Sequence, residues 1–187
     1  MSGVDEPVGS QPTRAVSSWV IASVVAGAAF LAIMLSPEAP APIIRGATAP
    51  LFSLPRLDGS EAIEIETLRG RVVLLNFWAT WCKPCEDEMP AMERLYQELR
   101  PEGFELLAIS VDEAEESVRE FQGRLGLSFP ILMDPGQDVA KAYQAYRFPE
   151  SLLVDRGGTV IERYIGPRDW DAEAYVGRIR RLLHEGG

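Results

Sequence analysis

VVLLNFWATWCKPCEDEMP, from Val72 to Pro90, contains a change of period that decides the architecture around it. Val72 to Trp78 is apolar at every position but Asn76, the pattern of a strand buried on both faces. Beyond Cys82 the residues Met92, Leu95, Tyr96 and Leu99 recur at helical spacing, so a helix follows the strand directly. Downstream, Phe104 to Val111 reads as a second buried strand, Val118, Phe121 and Leu125 mark a helix, and Phe129 to Met133 is a short strand. Val139 to Tyr146 is expected to form a short helix. Ser151 to Val154 and Thr159 to Ile165 flank Arg156-Gly157-Gly158 as a hairpin. Ala172, Tyr175, Val176, Ile179, Leu182 and Leu183 give a closing amphipathic helix. Upstream, Phe52 to Leu57 and Ala62 to Ile65 flank an Asp58-Gly59 turn as an N-terminal hairpin. The order implies an α/β domain whose mixed sheet is covered on both faces.

The same stretch carries the chain's two cysteines, Cys82 and Cys85, where the strand meets the helix. A C-x-x-C pair at such a junction is a redox signal. Free N–H groups and the positive dipole end of the helix favour the thiolate of Cys82. Cys85, one turn on, is placed to resolve a mixed disulfide. Pro84 in the first turn removes no helical hydrogen bond. A zinc site would need two further Cys or His ligands, and His184 near the end of the chain is the only histidine. A purely structural disulfide three residues apart would constrain the unfolded chain little. No cofactor or metal is expected.

Between Arg14 and Glu38 there is no charge, and WVIASVVAGAAFLAIML runs from Trp19 to Leu35. With its flanking serines the run is long enough to cross a bilayer, and Trp19 suits an interface. The alternative is a cleaved secretory signal. The long leader with one Arg and two acids suits that poorly, as do Ala39-Pro40-Ala41 and the distant Ala47-Thr48-Ala49 as cleavage sites. The expected organisation is a cytoplasmic tail (1–16), a transmembrane anchor (17–36) in contact with membrane lipid, a Pro/Ala-rich spacer (37–50) and a redox domain (51–187). Arg14 and Arg45 flank the anchor almost evenly, so the outward orientation rests on the chemistry of the domain. A net charge of −10 argues against nucleic-acid binding, which depends on neutralising phosphates.

Leu68–Arg71 with VVLLNFWATWCKPCEDEMP, LLAISVD (Leu106–Asp112), FPILMDP (Phe129–Pro135) and FPESLLVDRGGTVIERYIG (Phe148–Gly166) together resemble the TlpA/ResA/CcmG family, membrane-tethered thioredoxin-like reductants of the bacterial cell envelope. The likeness covers about residues 48–185. It implies a thioredoxin-like fold with an N-terminal β-hairpin and an inserted helix–strand unit, which Asp112 to Pro135 fits. It implies that Pro149 follows a cis bond and that Phe148-Pro149 holds substrate backbone beside Cys82; Trp81, next to Cys82, is expected to form part of the apolar docking surface. Thioredoxin has a buried aspartate where this chain has Asn76, and an amide cannot accept the proton. In ResA-like members a glutamate three residues after the second cysteine lies near the pair. Here that residue is Glu88, which could otherwise be a first-turn acid favoured by the helix dipole, as Glu86 and Asp87 could be. Pro149-Glu150 is similar to the cytochrome c maturation branch. The implied partners are disulfide-containing exported proteins such as apocytochrome c in the periplasm, and a membrane thiol transporter of the CcdA/DsbD type as electron donor.

Two other functions fit these residues less well. A peroxiredoxin-like peroxidase would place a proline and a threonine ahead of its cysteine, and only Thr80 is present. A copper-handling assembly factor of the Sco type would use C-x-x-x-C with a distant histidine, whereas the spacing here is C-x-x-C.

Overall fold

The computed structural model describes residues 18–34 and 42–185. They belong to two separate units, divided after residue 41. The first contains one helix, α1 (Ser18–Met34), whose 17 residues carry no charge. No helix among the described residues is long and apolar enough to cross a membrane. The tail at 1–16, both ends of the expected anchor at 17–36, and 37–41 of the spacer lie outside the described residues.

The second unit is built on β3 (Val72–Trp78), buried at every position, as its unbroken apolar run requires. It pairs in parallel with β4 (Phe104–Ser110) and antiparallel with β6 (Glu150–Val154). β5 (Ile131–Met133) adds in parallel beyond β4, and β7 (Val160–Ile165) antiparallel beyond β6, giving the order β5-β4-β3-β6-β7. The helices are α2 (Lys83–Leu99), α3 (Glu115–Leu125), α4 (Asp138–Ala142) and α5 (Glu173–His184). α3 and β5 form the helix–strand unit between β4 and α4. In the β6–β7 turn Gly158 takes φ +77°, a left-handed conformation that a side chain would strain.

α2 buries Cys85, Met89, Met92, Tyr96 and Leu99 on one stripe, with Glu88 and Leu95 beside them. The helical period therefore carries Glu88 into the core together with Cys85.

Three expectations are corrected. The N-terminal hairpin is shorter than the apolar pattern suggested: β1 (Ser53–Leu54) pairs with β2 (Ile63–Glu64) over two residues each. Its first arm is diverted because the Leu57 N–H bonds to Ile131 O and the Met133 N–H to Pro55 O, fastening residues 55–57 to β5 instead. Residues 46–49, expected in the spacer, join the folded unit through bonds with Gly158 and Val160, and Ala49 is buried. The helix expected to run to Tyr146 stops at Ala142, and Gln144 takes a positive φ of 54°.

Leu74 is fully buried at the centre of the sheet. Leu74→Ala should lower the unfolding free energy by about 3 kcal/mol, the usual scale for a leucine cavity. Denaturant titration checks this, and a loss below about 1 kcal/mol would mean that β3 is not the packed centre.

Candidate active site

β3 ends at Trp78, and the chain turns through Ala79–Trp81 into α2. Asp112, just past β4, holds that turn. Its carboxylate accepts from the Thr80 N–H at 2.8 Å, the Thr80 hydroxyl at 2.6 Å and the Ser110 hydroxyl at 2.7 Å. The turn delivers Cys82 as the residue that caps α2, with Pro84 in the first turn. Cys82 and Cys85 form a disulfide. The Cys85 N–H donates to Cys82 Sγ at 3.3 Å, so this sulfur lies where helix-terminal donors point. Cys85 is fully buried and Cys82 nearly so.

The acids that follow the pair separate by environment. Glu86 is on the surface, paired with Arg124 at 2.8 Å, and that hydrogen bond holds its pKa below the ordinary carboxylate value. Asp87 pairs with Lys83 on the same exposed face. Glu88 is 3% exposed and is held by three donors. Asn76 Nδ2 reaches Oε1 at 2.9 Å, while the Arg168 N–H at 3.0 Å and Trp170 Nε1 at 2.9 Å reach Oε2. Asn76 also donates to the Ser151 hydroxyl at 2.9 Å. Burial disfavours the charged form and pushes the Glu88 pKa up to about 7, against the pull of Trp170, the Arg168 N–H, Asn76 and the Arg168 charge. An open cleft of about 410 Å³ lies beside it, lined by Asp87, Glu88, Arg168, Asp169 and Tyr175 among others.

The opposite wall begins with a cis Phe148–Pro149 peptide bond, immediately before β6. In the β3–β6 register Phe77 lies opposite Glu150, so Pro149 sits at the end of β3 from which the cysteine turn departs. Trp81 is 70% exposed, with its ring 6.2 Å from that of Phe148. Trp78 is wholly buried. His184 stands exposed at the end of α5, 3.8 Å from a Glu102 carboxylate oxygen. Among the described residues no group of three or more His, Cys, Asp or Glu could hold a metal ion.

Asn76 as a donor, Ser151, Asp112, Arg168 and Trp170 were not legible as site residues. Trp170 lies 82 positions from the carboxylate it binds, and a lone tryptophan ahead of a helix reads as packing. Asn76 left one signal, as the only polar residue in a buried strand.

A disulfide between cysteines three apart at a helix N-terminus, where the helix follows a central strand flanked by parallel and antiparallel neighbours, defines a thioredoxin-like thiol–disulfide oxidoreductase. Comparison with known proteins agrees. Residues 45–163 match the AhpC/TSA family. The chain is 41% identical over 135 residues to the thiol-disulfide oxidoreductase ResA of Bacillus thuringiensis strain Al Hakam, covering 72% of this chain and 78% of that protein. It is 43% identical over 121 residues to ResA of Halalkalibacterium halodurans, covering 65% and 68% respectively. The crystal structure of a thiol:disulfide interchange protein of the thioredoxin family from Chlorobium tepidum TLS superposes with a TM-score of 0.65 at 28% identity, over 78% of this chain and 99% of that one. The chain belongs to the AhpC/TSA family, and it is similar to thiol–disulfide oxidoreductases named ResA.

The raised Glu88 pKa predicts a pH dependence of stability. The folded state holds the proton up to about pH 7, whereas the unfolded chain releases it near 4.5. Stability from this group is therefore fully present below about pH 4.5 and is lost as pH rises through 7, by about 3 kcal/mol in all. Glu88→Gln removes the titration. The stability difference between the oxidised variant and the oxidised wild type should move in the variant's favour by that amount between pH 4 and pH 8. Denaturant titrations at both pH values measure it, and a constant difference would mean that Glu88 ionises as an ordinary surface acid.

Proposed function

We propose that this chain reduces disulfides in exported proteins, the haem-binding cysteines of apocytochrome c foremost among them, from an anchored position on the outer side of the cytoplasmic membrane. The observation that carries this reading is the Cys82–Cys85 pair at the start of α2 with a buried carboxyl three residues on. In the reduced enzyme the Cys82 thiolate attacks a substrate disulfide. A Cys82–substrate disulfide forms, the substrate S–S bond breaks, and one substrate sulfur leaves as thiolate. Cys85 then gives its proton to Glu88 and attacks Cys82 Sγ. The mixed disulfide breaks, the second substrate sulfur leaves as thiolate, and the enzyme carries the Cys82–Cys85 disulfide. Two electrons have passed to the substrate, and a membrane thiol transporter of the CcdA/DsbD type supplies two more, which reduce the Cys82–Cys85 disulfide back to the dithiol.

Glu88 suits the proton transfer. On a helix its side chain neighbours that of Cys85, and a group with a pKa of about 7 can both accept and release a proton near neutrality. The cleft that Glu88 and Arg168 line is the nearest solvent with which that proton would exchange. Trp81, Phe148 and Pro149 form the docking edge, where substrate backbone lies beside Cys82. Pro-Glu at 149–150 supports the cytochrome c branch. The anchored, outward placement rests on the uncharged run from Ala15 to Pro37, which exceeds α1 at both ends, and on the need for a dedicated reductant in an oxidising compartment.

A Cys85→Ala variant cannot resolve its mixed disulfide and should accumulate it. Expressed in cells making c-type cytochromes, it should yield thiol-sensitive adducts containing apocytochrome c, identified by mass spectrometry. Adducts made only with other exported proteins would refute the substrate, and adducts made only with cytosolic proteins would refute the location.

A further inference from the structure

Glu150 directly follows the cis-proline and is 2% exposed, yet it takes no part in the thiol chemistry above. Its Oε2 accepts the N–H of Tyr146 at 3.0 Å and of Arg147 at 3.2 Å. Its Oε1 accepts from Nε of Arg163 on β7 at 2.6 Å. Arg163 Nη2 lies 2.6 Å from the same oxygen and also donates to the Gln144 carbonyl, while Nη1 donates to the carbonyls of Tyr143 at 3.0 Å and Ile43 at 3.2 Å. One ion pair thus satisfies both polarities of the loop ahead of Pro149 and joins it to the point where the chain enters the folded unit. α4 ends in a backbone cap, with the Gln144 N–H on Lys141 O at 2.9 Å and the Ala145 N–H on Ala140 O at 2.8 Å, and the polar groups beyond that cap are taken up by Glu150 and Arg163. Gln144 is held at φ 54°, a conformation that a non-glycine residue keeps only where its surroundings over-determine it. The loop presents Tyr146, 68% exposed, and leads into Phe148 beside Trp81. An open cleft of about 350 Å³ between Ile44, Tyr146 and Ile165 continues the same edge.

A buried ion pair is weak evidence for stability, because desolvation offsets most of its attraction, so what it fixes in place is the better guide to its use. We propose that Glu150 and Arg163 are a positioning pair that holds the 143–148 loop in the shape that receives a protein substrate, and so sets recognition of protein disulfides without touching sulfur chemistry. The inference rests on the docking edge assigned above.

The test uses the full chain and two variants. Glu150→Gln leaves one oxygen, which can serve the loop N–H groups or Arg163 but not both. Arg163→Lys keeps the charge but cannot span three carbonyls as a planar fork does. Steady-state reduction of insulin gives KM and kcat, and reaction of the reduced enzyme with the small disulfide DTNB reports on Cys82 alone. Hydrogen exchange reads the Tyr146 and Arg147 amides. Glu150→Gln should raise KM for insulin about tenfold, with kcat and the DTNB rate within about twofold, and its two amides should exchange at least about tenfold faster. Arg163→Lys should fall between it and the wild type. An unchanged KM with loosened amides overturns the proposal, as does a parallel fall in the insulin and DTNB rates, which would mark a purely structural pair. A wild type that reacts with DTNB and not with insulin removes the docking edge itself. Should neither variant fold, the wild-type amides decide: protection supports the proposal and exchange at the free rate overturns it.

Discussion

A carboxyl group lies on the inward stripe of α2 three residues past the second cysteine, and the surrounding unit is arranged to hold it. Once Cys85 faces the core, helical geometry brings Glu88 in with it. A buried carboxylate without partners would cost several kcal/mol, so donors must come from elsewhere in the chain. Asn76 supplies one from the middle of β3, and the segment ahead of α5 supplies the Arg168 N–H and the Trp170 indole. Those bonds tie the central strand, the redox helix and the closing segment to one oxygen pair. They do not fully offset burial, and the residue of that imbalance is a carboxyl poised near neutrality.

This arrangement gives Asn76 its meaning. An aspartate there could take a proton directly from the pair. The amide instead donates to Glu88 and to Ser151, which moves the titrating group from the strand to the helix. The same helix turn shows the contrast in a single sequence run. Glu86 and Asp87 stay outside with Arg124 and Lys83 as partners, and only Glu88 is taken out of water. Asp112 acts one layer back, fixing Thr80 and hence the entry of Cys82 into the helix.

Much of this was legible because hydrophobic period and burial coincide. Val72–Trp78 is both the apolar run and the observed strand, and the Met92–Leu99 spacing marked the buried stripe of α2. The cysteines announced their chemistry by their spacing and by their place between a buried strand and a helix. Illegible were the features set by contacts distant in sequence. The partners of Glu88 at Arg168 and Trp170 lie 80 and 82 positions away. The carbonyl of Tyr143, just past α4, is bonded by Arg163 on β7, 20 positions away. The segment 46–49 looked like spacer by composition, yet its backbone found partners at Gly158 and Val160.

The most direct measurement is the titration of the Glu88 carboxyl itself, followed by carbon-detected NMR on protein labelled with 13C in its glutamate carboxyls, with Glu88→Gln to assign the signal. The account predicts a midpoint near pH 7 for Glu88, set apart from surface acids such as Glu86, which titrates below the ordinary carboxylate value. A midpoint near 4.5 would contradict it, because a carboxyl that ionises like a free side chain is neither desolvated nor poised to exchange a proton with Cys85 at neutral pH.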